Sequence, residues 1–173
     1  MRRSSTAFAQ RALLVAILSA GLGACSAERF DGRTYKHGRT SFRSGPIPSS
    51  WSRIDLDGPL VAFRDDHRGT VEVFARCGQD GDDVPLGALT QHLLIGFTER
   101  EIDKQELTPL DGREAMHTVA SAKLDGVKVS LDIWVMKKDG CVWDLVFVAS
   151  PSTFSAGVPA FSSFVSAFRT GSE

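Results

Sequence analysis

Few residues in this chain are placed to do chemistry. Four histidines stand at His37, His67, His92 and His117, and none falls in H-E-x-x-H or another compact metal-ligating spacing. His67 follows Asp65 and Asp66, a trio that could chelate a cation. An Asp-rich segment running into Gly69 is more often a solvated turn than a ligand set. His92 is expected on the polar side of a helix and His117 within a β-meander, both as ordinary surface residues. Asp80-Gly81-Asp82-Asp83 invites a calcium reading. An EF-hand loop opening at Asp80 would place Pro85 where glycine is required and Gln91 where the bidentate glutamate belongs, so the pattern fails. Capping of a following helix explains those acids. There is no G-x-S-x-G elbow and no phosphate-cradling glycine loop after a strand. No two carboxylates are singled out as an acid–base couple. The sequence therefore assigns no catalytic residue, no cofactor and no metal site.

The N-terminus carries a different kind of chemistry. Arg2, Arg3 and Arg11 precede an apolar run from Ala12 to Leu22, which is too short to span a bilayer. The residues that follow, Leu22-Gly23-Ala24-Cys25, resemble the lipobox of bacterial lipoprotein precursors. That resemblance implies a signal peptide over residues 1–24 and Cys25 as the lipidated first residue of the mature protein, anchored in a membrane of the bacterial envelope. The alternative is an ordinary secretory signal that ends at a cysteine. Ser26 and Ala27 include no aspartate at the second position, the inner-membrane retention signal of enteric bacteria, so the expectation is the outer membrane, facing the periplasm. Cys77 and Cys141 are then an even pair in an oxidising compartment, and a disulfide is expected between them. It would close a loop of about 65 residues, for which the chain-entropy estimate is about 4 kcal/mol. Two free thiols or a redox pair are the alternatives, and a redox pair usually shows C-x-x-C spacing.

Removing 24 residues from 173 leaves 149, enough for one domain. Three of the 20 basic residues leave with the signal while all 21 acidic ones stay, so the mature chain carries −4. A nucleic-acid partner is not expected of such a balance. Residues 26–50 hold Arg29, Arg33, Lys36, Arg39 and Arg43 against Glu28 and Asp31, interspersed with Gly32, Gly38, Gly45, Pro46 and Pro48. This composition reads as a lipidated tether over 25–41 leading into a domain over 42–170. Its charge of +3 would suit anionic headgroups. The simpler reading, preferred here, is a solvated linker whose last part, Thr40 to Arg43, joins the sheet.

Any site in the domain must be held by an antiparallel sheet and two helices. Leu60 to Phe63 and the alternating Val71, Val73 and Ala75 flank the Asp65–Gly69 turn as a hairpin. Leu86, Leu89, Leu93 and Phe97 share one face of a predicted helix over 85–98. Asp111-Gly112, Asp125-Gly126 and Asp139-Gly140 recur every fourteen residues and mark the turns of a four-strand meander over 101–149. Its last strand, Cys141 to Ser150, is apolar on both faces and therefore belongs at the centre, under helices. Phe154, Val158, Phe161, Val165 and Phe168 give a closing helix whose aromatic stripe packs on the sheet; Pro159 is tolerable near its start if the helix proper begins about Ala156 to Val158. The class is α+β: one antiparallel sheet of six to seven strands flanked by two helices, in the order β-β-α-β-β-β-β-α.

That order, with the proline-rich approach to Trp51 and the Ala149-Ser150-Pro151 step into a phenylalanine-rich helix, resembles the α/β/α sandwich of photosystem II PsbP, the bacterial lipoprotein DcrB and a Ran-binding nuclear import factor. The resemblance implies a small non-enzymatic domain that binds or supports other proteins. The leading expectation is a lipid-anchored accessory module holding an envelope protein or component; a cryptic hydrolase and a metal-binding domain are the alternatives. Two or three acyl chains, at about 0.8 kcal/mol per buried methylene, hold far more firmly than one. Cys25→Ala should therefore abolish palmitate labelling and prevent lipoprotein maturation; unchanged labelling and fractionation refute the assignment.

Overall fold

Three Asp-Gly turns set the spacing of the main sheet. In the computed structural model, which describes residues 28–78 and 83–171, Asp111, Asp125 and Asp139 have φ of 51°, 49° and 54°, and the glycines after them 72°, 81° and 71°. Positive φ at both central residues is what a two-residue hairpin turn demands. The turns join β7 (Thr98–Leu110), β8 (Arg113–Leu124), β9 (Val127–Lys138) and β10 (Cys141–Ala149) into the expected meander. Earlier in the chain, β4 (Ser52–Ile54), β5 (Val61–Arg64) and β6 (Thr70–Cys77) supply the other half. The antiparallel order is β4-β5-β6-β10-β9-β8-β7, so β10 is central. The lipobox, Leu22 to Cys25, and residues Asp80 to Asp82 lie outside the described residues.

Helices cover both faces of the sheet. On one face α1 (Leu86–Leu93) sets Leu89 among Ala120, Ala122, Leu131, Ile133 and Val135. On the other, α2 (Phe154–Ser166) packs Phe161, Phe164 and Val165 against Val71, Val73, Leu145 and Phe147. Gly157 makes that contact possible, because a Cβ there would collide with the ring of Phe147. The result is the α+β sandwich that the alternation of apolar residues requires.

Three local expectations change. The first helix ends at Leu93 rather than 98, since Gly96 takes φ of 94° and the chain turns through bonds from Ile95 N–H to His92 and from Phe97 N–H to Leu94. Its N-cap is Pro85, without a side-chain cap bond, so Asp83 does not cap it. The closing helix opens at Phe154, which leaves Pro159 inside the second turn.

The largest departure concerns residues 29–41, read from composition as a tether. They fold as β1 (Arg29–Phe30) and β2 (Thr34–His37), followed by β3 (Thr40–Arg43). β3 then pairs with β11 (Arg169–Thr170), completing a second sheet in the order β1-β2-β3-β11 rather than joining the main one. Tyr35, placed in the tether by sequence, is 1% exposed. The physical reason is one aromatic seam: Phe42 stacks on Tyr35 and Phe168, with ring centroids 5.4 and 5.1 Å apart, and meets Trp143 edge-on at 6.0 Å. Sparse apolar residues suffice here because each one is a large ring. Strand structure is therefore present from Arg29 onward among the described residues. Among the described residues, both hydrophobic cores are built from positions between 30 and 168.

Cys77 and Cys141 are directly opposed across β6 and β10 and joined as a disulfide, with Cα atoms 4.0 Å apart at a sequence separation of 64. The bridge ties the hairpin half of the sheet to the meander half, as expected of an even pair in an oxidising compartment. Phe161 and Phe164 are both fully buried, although Phe164 falls at the margin of the sequence stripe. Phe161→Ala should cost about 3–5 kcal/mol in denaturant unfolding; a variant of unchanged stability would show that this ring is not part of the core.

Candidate functional site

The Asp125-Gly126 turn fixes the register that brings His117 opposite Trp134. Their rings stack with centroids 4.1 Å apart and planes at 15°. Asp132, two residues before Trp134 and hence on the same face of β9, is 3% exposed. Its Oδ1 accepts the Trp134 indole N–H at 3.0 Å and lies 2.9 Å from His117 Nε2. From β7, Glu106 pairs with His117 and brings its Oε1 to 4.0 Å from Nδ1. Lys104, 2.8 Å from Glu106, holds that carboxyl below its ordinary value. A buried carboxylate thus orients one imidazole and one indole, and a surface carboxylate stands at the other imidazole nitrogen.

His117 is therefore more than an ordinary surface residue: its side chain is 14% exposed and held on three sides. Among the described residues its polar partners are Asp132 and Glu106. What it offers is a rigid aromatic platform with a charged rim. Trp134 also forms part of the wall of a cleft of about 390 Å³ between the β7–β8 turn and α2, together with Pro109, Ser162, Val165 and Arg169. Two wider grooves, of about 750 and 700 Å³, meet the same turn from the α1 side and from the small sheet. Asp111 anchors the turn: its carboxylate takes Lys138 at 2.8 Å and the N–H and hydroxyl of Thr170 at 2.8 and 3.0 Å. Burial raises its pKa, but the donors from Lys138 and Thr170 outweigh burial and hold it below the usual value.

The other sequence candidates stay apart. His67 is exposed, 4.0 Å from Asp66, while Asp65 turns inward and accepts the amide N–H groups of His67 and Gly69, closing its own turn. His37 and His92 are exposed. Among the described residues no group of three or more His, Cys, Asp or Glu is placed to hold a metal ion.

Two features escaped the sequence reading. Trp134 and Asp132 were legible in principle, because a two-residue turn at 125–126 pairs position 117 with 134. Asp144 was hidden inside the run of apolar residues from Cys141. It is 1% exposed on the central strand, 3.0 Å from the Arg76 guanidinium. Burial pushes its pKa up to about 6, and Arg76 opposes that rise without overcoming it. Glu72, also on this face of the sheet, is likewise raised by burial.

With the fold and this geometry in place, comparison with known structures is informative. The chain is similar to the solution structure of cyanobacterial PsbP (CyanoP) from Synechocystis sp. PCC 6803, at 14% identity and TM-score 0.58, over 87% of this chain and 96% of that one. It is similar to LpqN of Mycobacterium tuberculosis, described as involved in cell envelope biogenesis, again at 14% identity and TM-score 0.58, over 84% and 90% of the two chains. A protein from Bacteroides thetaiotaomicron VPI-5482 aligns at 14% identity and TM-score 0.54, over 83% of this chain and 50% of that one. No family model and no curated protein sequence matches the chain. The fold is PsbP-like.

Asp144 makes stability depend on pH in a defined direction. A carboxyl whose folded pKa is raised binds its proton more tightly when folded, so its stabilising contribution is full below about 3.8 and is lost as pH rises through about 6. The difference in unfolding free energy between wild type and Asp144→Asn should therefore change across this window, at up to about 1.4 kcal/mol per pH unit. A difference independent of pH between 4 and 7 contradicts the assignment.

Proposed function

We propose that the mature protein is anchored through lipidated Cys25 in the bacterial envelope, on the periplasmic face of the outer membrane. There it serves as a non-catalytic accessory module that holds an envelope protein. The observation that carries this reading is the His117–Trp134 platform, locked by Asp132 and flanked by a cleft. A rigid aromatic anchor inside a charged rim is the pattern of an interaction surface. The PsbP-like fold supports it, since CyanoP and LpqN share the architecture and LpqN is described as involved in cell envelope biogenesis. Fold alone does not assign function, so the weight rests on the platform.

A hydrolase is the second reading, favoured by the 2.9 Å approach of Asp132 to His117 Nε2. It requires a nucleophile to reach Nδ1, where Glu106 now stands 4.0 Å away.

Site-specific photo-crosslinking from position 104 in intact cells, followed by mass spectrometry, separates the two. The expected result is a discrete crosslinked envelope protein, whose capture falls about thirtyfold on Trp134→Ala, the loss of an interfacial hot spot of about 2 kcal/mol. Ester or amide hydrolysis that disappears in His117→Ala, without any crosslinked partner, would establish the enzyme instead.

A further inference from the structure

The small sheet is charged on one face and apolar on the other. Cross-strand register puts Arg29 opposite Lys36, and Arg43 opposite both Thr34 and Arg169. Directly opposed residues of an antiparallel pair share a face, so these four cations project from the side away from Tyr35 and Phe42. All four are exposed. Like charges facing each other across strands are destabilising, and here they do so twice. Arg29, Lys36 and Arg43 form no ion pair with any described residue, while Arg169 has Asp111 at 3.8 Å.

Charge is segregated over the whole fold as well. Residues 28–43 with 169–171 hold six basic and two acidic residues, net +4, whereas residues 44–168 hold 11 basic and 18 acidic, net −7. The strands of the small sheet and their turns are thus the basic part of the sequence, and the stretch between them is acidic. The chain reaches that end from Cys25 in four residues, at most about 14 Å of extended backbone. Because residues 29–41 are folded, no long spacer separates the lipid attachment point from the body.

We propose that the outer face of the four-stranded sheet, built on Arg29, Lys36, Arg43 and Arg169, docks flat on the anionic phospholipid headgroups of the membrane in which Cys25 is anchored. A positive face within a Debye length or two of a negative surface is attracted to it, while the acidic remainder is turned away. The lipid supplies attachment and the sheet supplies orientation. The His117–Trp134 platform, on the main sheet, is then presented at a fixed attitude to the surface. The occupant follows from charge complementarity together with the short reach from the anchor, so the inference rests on the lipidation reading. Its test does not.

The test uses residues 26–173, which contain both cores and carry no lipid, in cosedimentation with phosphatidylglycerol–phosphatidylcholine vesicles and with pure phosphatidylcholine vesicles. Binding to the anionic vesicles alone is expected, weakening steeply with added salt. Each basic residue near such a surface contributes about fivefold to partitioning. The triple variant Arg29→Gln, Lys36→Gln, Arg43→Gln should accordingly lose about a hundredfold. Arg64→Gln, Arg113→Gln, Lys128→Gln, which removes the same charge from other exposed positions, should lose far less. Absence of binding to anionic vesicles, insensitivity to salt, or equal losses in the two triples overturns the proposal. So does capture of an acidic protein by the face without vesicle binding. If the first triple fails to fold, the lipid and salt dependence of the wild type decides. A failure here leaves palmitate labelling at Cys25 untouched, so the two readings fall separately.

Discussion

Phe42 is the residue on which the architecture turns. Its ring lies between Tyr35 and Phe168 and against Trp143, joining the N-terminal strands, the end of the chain and the central strand of the main sheet. A four-stranded sheet whose outer strands are two residues long could not stand by itself, because short ladders return too little for the backbone entropy they fix. Packing against the main sheet supplies what the ladders lack. The seam also sets the geometry of the site region, since β11 follows directly from Phe168 and its Thr170 secures Asp111 at the β7–β8 turn. From that turn spread the cleft beside Trp134 and both wider grooves.

Local signals were read correctly where the physics is local. The three Asp-Gly turns need positive φ at both residues, and their fourteen-residue spacing gives the lengths of the hairpins between them. Alternation in β9 and the two-sided apolar character of β10 follow from burial, and they put β10 in the middle. The small sheet was missed for the opposite reason. Phe30, Tyr35 and Phe42 are separated by polar and turn-forming residues, and the strand that completes the sheet lies more than 120 residues away. Composition sees the glycines, prolines and arginines of this stretch but not the rings waiting for them. The helix over 86–93 was over-extended because the apolar period continues to Phe97, while Gly96 at positive φ ends the helical path.

The candidate site was legible in part. The sequence places His117 in the meander as an ordinary surface residue; Asp132 and Trp134 reach it from the next strand, through register alone. Asp144 illustrates a different limit. A single acid within an apolar strand looks like noise in a hydrophobic pattern, yet on a central strand it has nowhere to go but inward, where Arg76 partly compensates it. Buried carboxylates of this kind show up in the sequence as an interruption of an otherwise two-faced apolar run.

The longest strand among the described residues, β7, is also an edge of the main sheet, thirteen residues with almost every one exposed. Such an edge is a template on which identical chains can add strand upon strand. β7 is built against that outcome. Glu99, Arg100, Glu101, Asp103, Lys104 and Glu106 crowd it with charge of both signs, Pro109 removes a donor, and its register slips between Thr98 and Glu101 and again between Ile102 and Lys104. At the opposite edge β4 is three residues long, too short to seed a ladder. Addition of a further strand from a neighbouring copy along β7 is therefore disfavoured by the charge, the proline and the slipped register of that edge.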